Sequence, residues 1–429
     1  MKSLLFSSDT FLSQLGQFCR NESRSRELET VVREIISDVS SDGDRAVANY
    51  TRKFDAVSLG PADFRLPESK LKEGLAVLAR EEKEAIHSAI DCVRDFHQTT
   101  VPHGWTAENP HGATVGEAFY PLRRVGIYIP GGQAPLVSTV IMTVTLAQLA
   151  GVPEIAVFTP PGAGGQVAAG TLAALELLGI SEVYRIGGVQ AVAAMALGTP
   201  SVRPVEKIFG PGNAYVVEAK RQVFGTVGVD LIPGPSEVMV IADSTARADW
   251  VAADLLSQAE HGHGGKLFLV ATDASLLEGV FVELNKQAAS LNHGQTIENA
   301  LAEGLCSILV ERYSEAAEVA NFVAPEHLEL HVAEAEIPRF RESITTAGAM
   351  MEGEWTPTAV GDFTAGPSHV LPTGRTGRFF SGLRVMDFMR RTSILAYGPE
   401  SLKKALPVVE VFSRLENLDA HGRSVSIRF

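Results

Sequence analysis

Residues 124–186 decide the fold, and they open with RVGIYIPGG at positions 124–132. The segment predicts a buried strand at 125–129, a glycine-containing loop and a helix at 138–150. The alternation continues with strands predicted at 154–159, 182–186, 207–209 and 229–232 and helices at 167–178, 191–197 and 214–224. Successive βα units of this kind predict a parallel sheet that is covered by helices on both faces.

A second βα series follows the first along the chain. Its strands are predicted near 238–242, 267–272 and 307–311, while the charged segment 23–100 has a helical pattern. The chain after Arg390 predicts a small helical and extended appendix. The fold class that follows is α/β, with two Rossmann-like parallel-sheet domains, a small N-terminal helical segment and a C-terminal extension.

Composition limits the classes of partner. The 429 residues carry a net charge of −14 and are 45% hydrophobic, which describes a soluble globular chain and argues against nucleic acid as a partner. The three cysteines are widely separated, which fits a reducing compartment and no disulfide framework. The apolar start is too short for a signal peptide, and polar residues interrupt the apolar stretch 137–152, so we expect a cytoplasmic protein without a membrane span.

Two glycine-containing turns are candidates for phosphate binding. GAGGQV at 162–167 follows a strand and opens a helix, but Val167 stands where a dinucleotide fingerprint needs its third glycine, so a turn is the better interpretation. GPGN at 210–213 also joins a strand to a helix. Its amides could accept an anion at the helix N-terminus, or Asn213 could only cap the helix, and the sequence leaves both alternatives open.

Polar side chains that suit metal binding or proton transfer concentrate in four short segments: QAEH (258–261), PEHL (325–328), GD (361–362) and the stretch 416–421. Gln258 and His261 lie three residues apart on a predicted helix, so their side chains share one face and can meet one ion. Taken alone, His261 is more often a capping or surface histidine. Asp362 alone is more often a turn residue, and His421 a surface residue.

Eight ordered blocks resemble the signature blocks of the histidinol dehydrogenase family. They cover the chain from residue 126 to its C-terminal region, namely GIYIPGG (126–132), GGVQA (187–191), GPGN (210–213), GPSE (234–237), SQAEH (257–261), APEHLE (324–329), GDF with SHVLPT (361–363 and 368–373) and AH (420–421). So many blocks in one order make the resemblance highly specific.

The resemblance implies an NAD-dependent and zinc-dependent enzyme that oxidises L-histidinol through L-histidinal to L-histidine in two hydride transfers, the last step of histidine biosynthesis. By position it implies zinc ligands at Gln258, His261, Asp362 and His421, and an acid/base pair at Glu326 and His327. It implies NAD contacts at Tyr128, Gln190 and Asn213, and substrate contacts at Ser236, Gln258, His261, His327, Asp362, Glu416 and His421.

The resemblance also implies a homodimer in which the C-terminal segment reaches the partner and completes a shared active site. We divide the chain into an N-terminal segment (1–25), a first α/β domain, a second α/β domain (128–236) and a C-terminal dimerisation extension (384–429). The first α/β domain is expected to be discontinuous and to combine residues 26–127 with residues 237–383.

The chemistry of Glu326 and His327 agrees with the implied roles. A neutral imidazole suits removal of a hydroxyl proton near pH 7, and a carboxylate held away from bulk solvent can activate the water that the aldehyde step needs. Zinc would mainly orient the imidazole and amino group of the substrate. From the residues alone, Pro325 and Glu326 could instead start a turn, with His327 hydrogen-bonded to backbone.

Three other functions stay open at this point. A related dehydrogenase of another polar alcohol, such as a sulfonated diol, would share the zinc and NAD apparatus, although Glu416, placed to meet an amino group, favours histidinol. A zinc hydrolase would use the same ligand types and form no NADH. A nonenzymatic metal-binding module would bind zinc without turnover.

Overall fold

Two parallel sheets and one small antiparallel sheet organise the computed structural model, which describes residues 2–20, 25–131, 136–262, 264–292 and 294–429. The strands are β1 (Lys2–Leu5), β2 (Trp105–Glu108), β3 (Thr114–Pro121), β4 (Arg124–Tyr128), β5 (Glu154–Phe158), β6 (Val183–Tyr184), β7 (Lys207–Phe209), β8 (Gly228–Val229), β9 (Glu237–Ala242), β10 (Lys266–Ala271), β11 (Leu305–Leu309), β12 (His327–His331), β13 (Ala349–Glu352) and β14 (Met389–Ala396).

The α-helices lie between and around these strands. They are α1 (Phe11–Phe18), α2 (Arg26–Asp42), α3 (Asp44–Asp55), α4 (Pro61–Phe64), α5 (Glu68–Val77), α6 (Arg80–Gln98), α7 (Val137–Leu149), α8 (Ala169–Leu177), α9 (Gly188–Leu197), α10 (Ala214–Val223), α11 (Ala248–Ala259), α12 (Ala274–Ala288), α13 (Gly294–Gly304), α14 (Tyr313–Val323), α15 (Ile337–Ser343), α16 (Thr358–Phe363), α17 (Pro399–Leu415) and α18 (Asp419–Ser426).

The smaller parallel sheet confirms the first predicted βα series. Its strands lie in the order β6, β5, β4, β7, β8, and each neighbouring pair is parallel. Val125 and Ile127 of β4 face a core that includes side chains of α7 and α8. Ala156 and Phe158 of β5 face a second core that includes α9 and α10. The sheet is therefore buried on both faces, as parallel sheets usually are.

The larger parallel sheet confirms the second series. Its order is β1, β11, β10, β9, β12, β13. Val238 and Val240 of β9 face a core with α11 and α12, and the alternating Met239 and Ile241 face a core with α14. Apart from β1, the strand order repeats that of the smaller sheet: the first strand of the series is central, the next two lie on one side and the last two on the other.

Strand β1 is one of the elements that the sequence analysis missed, together with β2, β3, β12 and β13. It pairs in parallel with β11 and extends the larger sheet. The helix predicted for the N-terminal segment begins after this strand, as α1. Within β1 only Leu4 is buried. Four residues with one buried side chain do not show the alternation by which a strand is recognised.

Helices α2 to α6 pack against the smaller sheet and its helices. Helix α2 contacts α9 and α10, α5 contacts α8, and α6 contacts α7. Val32 of α2 lies in the same core as Phe158 of β5. This arrangement differs from the division that grouped residues 26–127 with 237–383, because the apolar faces of these helices, and not their position along the chain, determine which sheet they cover.

The C-terminal region is extended and then helical, as predicted. Strand β14 pairs antiparallel with β3, which pairs with β2, and helices α17 and α18 pack on each other. The apolar stretch near 137–152 forms α7, in which residues 139–147 are all buried. Among the described residues, no helix combines the length and apolar character that a bilayer span requires.

Candidate active site

Two adjacent strands of the larger sheet begin with residues predicted to carry the chemistry. Ser236 and Glu237 lie at the start of β9, and Glu326 and His327 at the start of its parallel neighbour β12. The Glu326 carboxylate accepts a hydrogen bond of 2.9 Å from the Glu237 backbone N–H, and the Ser236 side chain also bonds to it. The parallel register therefore brings both predicted catalytic residues beside Ser236.

Burial determines the proton affinity of these two side chains, which are only 6% and 5% exposed. Burial raises the pKa of Glu326 well above its usual value, and the carboxylates of Glu237 and Asp362 act in the same direction. Burial lowers the pKa of His327 to about 4, so its imidazole is neutral at pH 7. The His327 Nδ1 atom lies 3.3 Å from the Glu237 carbonyl oxygen, an arrangement that favours a proton on Nδ1 and leaves Nε2 as the acceptor.

Two of the four predicted metal ligands, His261 and Asp362, lie near this pair, and a third, Gln258, lies three residues before His261. Gln258 is in the last turn of α11, is 2% exposed, and has a buried Nε2 atom without a hydrogen-bond partner in the described part of the chain. His261 follows the helix and is close enough to His327 to affect its pKa. An Asp362 carboxylate oxygen of α16 lies 3.7 Å from His327 Nε2, and burial together with Glu329 raises the pKa of Asp362 to about 6.

The two candidate residues of the C-terminal segment, Glu416 and His421, do not contact the residues around His327 within one chain. Glu416 ends α17 and His421 lies in α18, and both side chains are exposed. Helix α18 packs on α17, and the Gly422 N–H donates a hydrogen bond to the Ser413 hydroxyl. A single chain therefore brings His261 and Asp362 close to His327, with Gln258 three residues before His261, and leaves His421 exposed on α18.

The sequence analysis assigned no role to His369, although this residue lies in the signature block SHVLPT (368–373). The Nε2 atom of His369 is buried without a hydrogen-bond partner among the described residues, and burial lowers the pKa of this imidazole to about 4. His261 and His327 both interact electrostatically with it. The position of this histidine beside Ser368 was visible in the sequence, but its proximity to the other two imidazoles depends on the fold.

A separate cavity of about 670 Å³ lies at the carboxyl ends of strands of the smaller sheet. It is lined by Tyr128 after β4, by the loop after β5, by Gln190 after β6 and by Asn213 after β7. Open α/β sheets bind ligands at this edge, where the strand order reverses. All three predicted cofactor contacts therefore line one cavity.

The polar groups of this cavity differ in how well they are paired. The Tyr128 hydroxyl accepts a hydrogen bond of 3.1 Å from the Gly188 N–H, and Asn213 caps α10 by accepting from the Tyr215 and Val216 N–H groups. Gln190 is 1% exposed, and neither its amide nitrogen nor its amide oxygen has a partner within the described residues. An unpaired buried amide at a cavity wall is available to a ligand.

Two further features of the cavity bear on the sequence predictions. Gly162 and Val167 of the glycine-containing loop line it, although the sequence favoured a plain turn there. Asp55 at the end of α3 also lines it, and sequence reasoning missed this residue because it lies far from the βα series. Burial raises the pKa of Asp55 to about 6, and its Oδ2 atom has no partner among the described residues.

Comparisons with known proteins give one consistent result. A family model described as histidinol dehydrogenase matches residues 19–429. The histidinol dehydrogenase of Agrobacterium fabrum is 43% identical over 404 residues, 94% of this chain and 93% of its own length. That of Geobacillus kaustophilus is 42% identical over 409 residues, 95% of each chain.

Solved structures agree with this result. The crystal structure of histidinol dehydrogenase from Elizabethkingia anophelis superposes with a TM-score of 0.95 at 33% identity, covering 100% of this chain and 98% of the other. An acetylating aldehyde dehydrogenase from Geobacillus thermoglucosidasius has a TM-score of 0.50 at 17% identity, covering 90% and 97% of the two chains, which is a likeness of fold alone.

Proposed function

This chain belongs to the histidinol dehydrogenase family, and we propose that it oxidises L-histidinol through L-histidinal to L-histidine in two hydride transfers to NAD, with zinc bound at the active site. The reaction is the last step of histidine biosynthesis. The observation that carries the proposal is that a neutral imidazole and a buried carboxyl group at the amino ends of β9 and β12 lie near two metal-binding side chains, those of His261 and Asp362.

Zinc fits the side chains at this edge of the larger sheet. Gln258, His261 and Asp362 would hold the ion, and His421 from a second copy of the chain would be the fourth ligand. Burial and the neighbouring Glu329 carboxylate raise the pKa of Asp362, and a bound cation would offset this repulsion and favour the ionised carboxylate. When bound, zinc would orient the imidazole and amino nitrogens of the substrate.

Proton transfer is assigned to His327 and Glu326. In the alcohol step, Nε2 of His327 accepts the hydroxyl proton, because Nδ1 faces the Glu237 carbonyl. In the aldehyde step, Glu326 takes a proton from the attacking water. The raised pKa of Glu326 makes its carboxylate a stronger base than a solvated one, and it allows the carboxyl to hold the transferred proton near neutral pH. The proposed substrate contacts are Ser236, Gln258, His261, His327, Asp362, Glu416 and His421.

The cavity of the smaller sheet is our proposed NAD site. Tyr128, Gln190 and Asn213 would contact the cofactor, and the cavity volume suits a ligand of that size class. The positive end of the α10 helix dipole would favour the negatively charged phosphates, while Asn213 accepts hydrogen bonds from two of the first N–H groups of that helix. NAD would supply the hydride acceptor, and the protein would supply position and electrostatics.

A homodimer with shared active sites would bring the missing side chains to the metal. Large apolar side chains of the C-terminal region are exposed in the single chain, among them Leu415 at 74%, Leu395 at 69% and Phe412 at 55%. Such an apolar surface is typical of a protein–protein contact. We propose that a second copy covers it and receives Glu416 and His421, and we assign the reaction to the cytoplasm.

One assay tests the proposal. L-histidinol and NAD are supplied to the purified protein, and NADH and L-histidine are measured with and without a zinc chelator. We expect two NADH per L-histidine, loss of turnover after chelation and recovery on adding zinc. Full turnover by metal-free protein would refute the metal assignment, and turnover of a sulfonated diol in place of L-histidinol would refute the substrate.

A further inference from the structure

Next to the proposed reaction site, two buried ionisable side chains and a partly buried one contact one another and have no role in the proposed chemistry. Asp254 lies on α11, and Glu329 and His331 lie on one face of β12. The His331 Nε2 atom is 3.0 Å from an Asp254 carboxylate oxygen and 3.6 Å from a Glu329 oxygen. Glu329 is 0% and His331 2% exposed, so the contacts are shielded from solvent.

Each end of this cluster is attached to a helix that carries a proposed zinc ligand. Asp254 lies about one turn before Gln258 on α11. At the other end, Glu329 Oε1 accepts hydrogen bonds of 2.7 Å from the Thr358 N–H and 2.6 Å from the Thr358 hydroxyl. Thr358 is the first residue of α16, the short helix that carries Asp362. The cluster therefore spans the space between α11 and α16.

We infer that His331 is a positioning residue, which joins Asp254 to Glu329 and thereby fixes the separation of Gln258 from Asp362. The inference rests on the metal site of the proposed function. Stability alone is a poor explanation of the cluster, because buried ion contacts gain little net free energy after desolvation. Both His331 ring nitrogens and Glu329 Oε2 also lack an aligned hydrogen bond in the described part of the chain.

The histidine ring itself is the cation of this cluster. Burial acts to lower the pKa of His331, but the contacts with Asp254 and Glu329 outweigh it and raise the pKa to about 9. A divalent ion is the other candidate, because the three side chains offer ligand atoms within 4.8 Å of one another. The direct approach of 3.0 Å between the ring and Asp254 favours the protonated ring, because a positive and a negative charge attract at this distance.

Two pairs of variants of the full-length protein test the inference. Thr358→Val removes the hydroxyl bond to Glu329 and keeps the shape, whereas Thr358→Ser keeps the hydroxyl. His331→Leu removes the bridge, and Arg341→Gln is its control, because it removes a charge from an exposed ion pair with Glu352 in the same half of the molecule. Zinc dissociation constants are measured by competition with a chromogenic chelator, and the zinc content of each variant is counted.

We expect Thr358→Val and His331→Leu to weaken zinc binding about 10- to 100-fold, the usual effect of losing a group that orients a metal ligand. Thr358→Ser and Arg341→Gln should bind zinc like the wild type. If His331→Leu fails to fold, the Thr358 pair decides, and wild-type zinc affinity in Thr358→Val overturns the inference. Two zinc ions per wild-type chain, one of them lost in His331→Leu, would overturn it as well, because the cluster would then be a metal site.

A wild-type protein that binds no zinc would refute the metal in the proposed function, and that outcome is distinct from failure of the positioning role. The positioning role would then be decided by the KM for L-histidinol. A rise in Thr358→Val that Thr358→Ser does not show supports it, and an unchanged KM in both overturns it.

Discussion

The two parallel sheets share one strand order but present their polar groups at opposite edges. In the smaller sheet, the carboxyl ends of the strands surround a cavity of about 670 Å³. In the larger sheet, the equivalent position at the ends of β9 and β12 is occupied by Asp243, which accepts hydrogen bonds from Thr245, Tyr313 and Ala333. The proposed reaction groups of the larger sheet lie instead at the amino ends of the same two strands.

The same strand order provides an equivalent position for a ligand in both sheets, and the local hydrogen bonds determine whether a ligand can bind there. Asp243 is 2% exposed and its carboxylate is fully engaged, whereas the Gln190 amide is 1% exposed and unpaired in the described residues. Substitutions at the two sheets should therefore have separable effects: at the larger sheet on chemistry and stability, and at the smaller sheet on the cofactor.

The largest effect is expected at the amino edge of the larger sheet. His327→Asn removes the neutral imidazole that we propose as the acceptor of the hydroxyl proton, and kcat should fall about 10²- to 10⁴-fold in both oxidations. Glu326→Gln should mainly slow the aldehyde step, because only that step needs an activated water. NADH formation is measured from L-histidinol and, separately, from L-histidinal. An equal loss of both steps in Glu326→Gln would contradict its water-activating role.

Mixing two inactive variants tests whether that edge is completed by a second chain. Neither His261→Asn nor His421→Asn should turn over alone. Random reassociation of equal amounts makes about half of the dimers mixed, and one of the two sites in each mixed dimer keeps both histidines, so about a quarter of wild-type activity should return under two-fold symmetry. Mixed dimers are verified by mass. If they form and stay inactive, His261 and His421 belong to one chain's site.

The sequence predicted the strands of the two parallel sheets more completely than it predicted which residues meet at the ends of those strands. Alternating βα units and apolar runs predict parallel strands covered by helices, and β4 to β8 follow the predicted series. Helices α2, α3, α5 and α6 contact helices of the smaller sheet, whereas the sequence analysis grouped them with the larger one, because an amphipathic pattern shows that a helix has a buried face without showing which sheet covers it. The quoted blocks named Tyr128, Gln190 and Asn213, and these line one cavity.

Long-range contacts account for what the sequence could not give. His331 and Asp254 lie far apart in the chain and meet only because β12 is positioned beside the helix that follows β9. Asp55 reaches the cavity from a helix that precedes the βα series. In both cases the residue type was visible, but its partner depended on tertiary packing, which local patterns do not specify.

A stability effect is expected at the closed edge of the larger sheet. Asp243→Ala leaves the donors of Thr245, Tyr313 and Ala333 without their acceptor, and the free energy of unfolding should fall by about 3 kcal/mol. Burial acts to raise the pKa of Asp243, but these bonds outweigh it and lower the pKa below its usual value. The stabilisation is therefore present at neutral pH and is lost only as the pH falls through the lowered pKa.

Urea unfolding of wild type and Asp243→Ala at pH 7 and in strong acid measures this difference. We expect it to be full at pH 7 and to shrink in acid, with the KM for NAD unchanged in the folded variant. A raised KM for NAD at unchanged stability would show that the larger sheet also takes part in cofactor binding, and the contrast between the two edges would be wrong.

The smallest effect is expected at the open edge of the smaller sheet. Gln190→Leu removes an amide that only a ligand can satisfy, so the KM for NAD should rise about 10-fold, which corresponds to the loss of one hydrogen bond of ordinary strength. Stability should not fall, because no internal bond is lost.

Gln148→Leu is the matched control. The Gln148 amide donates a hydrogen bond of 2.6 Å to the Leu178 carbonyl, so that variant should lose stability and keep its KM for NAD. Steady-state kinetics at saturating L-histidinol and urea unfolding of both variants measure the two quantities, and an unchanged KM in Gln190→Leu would mean that the unpaired amide does not face the cofactor.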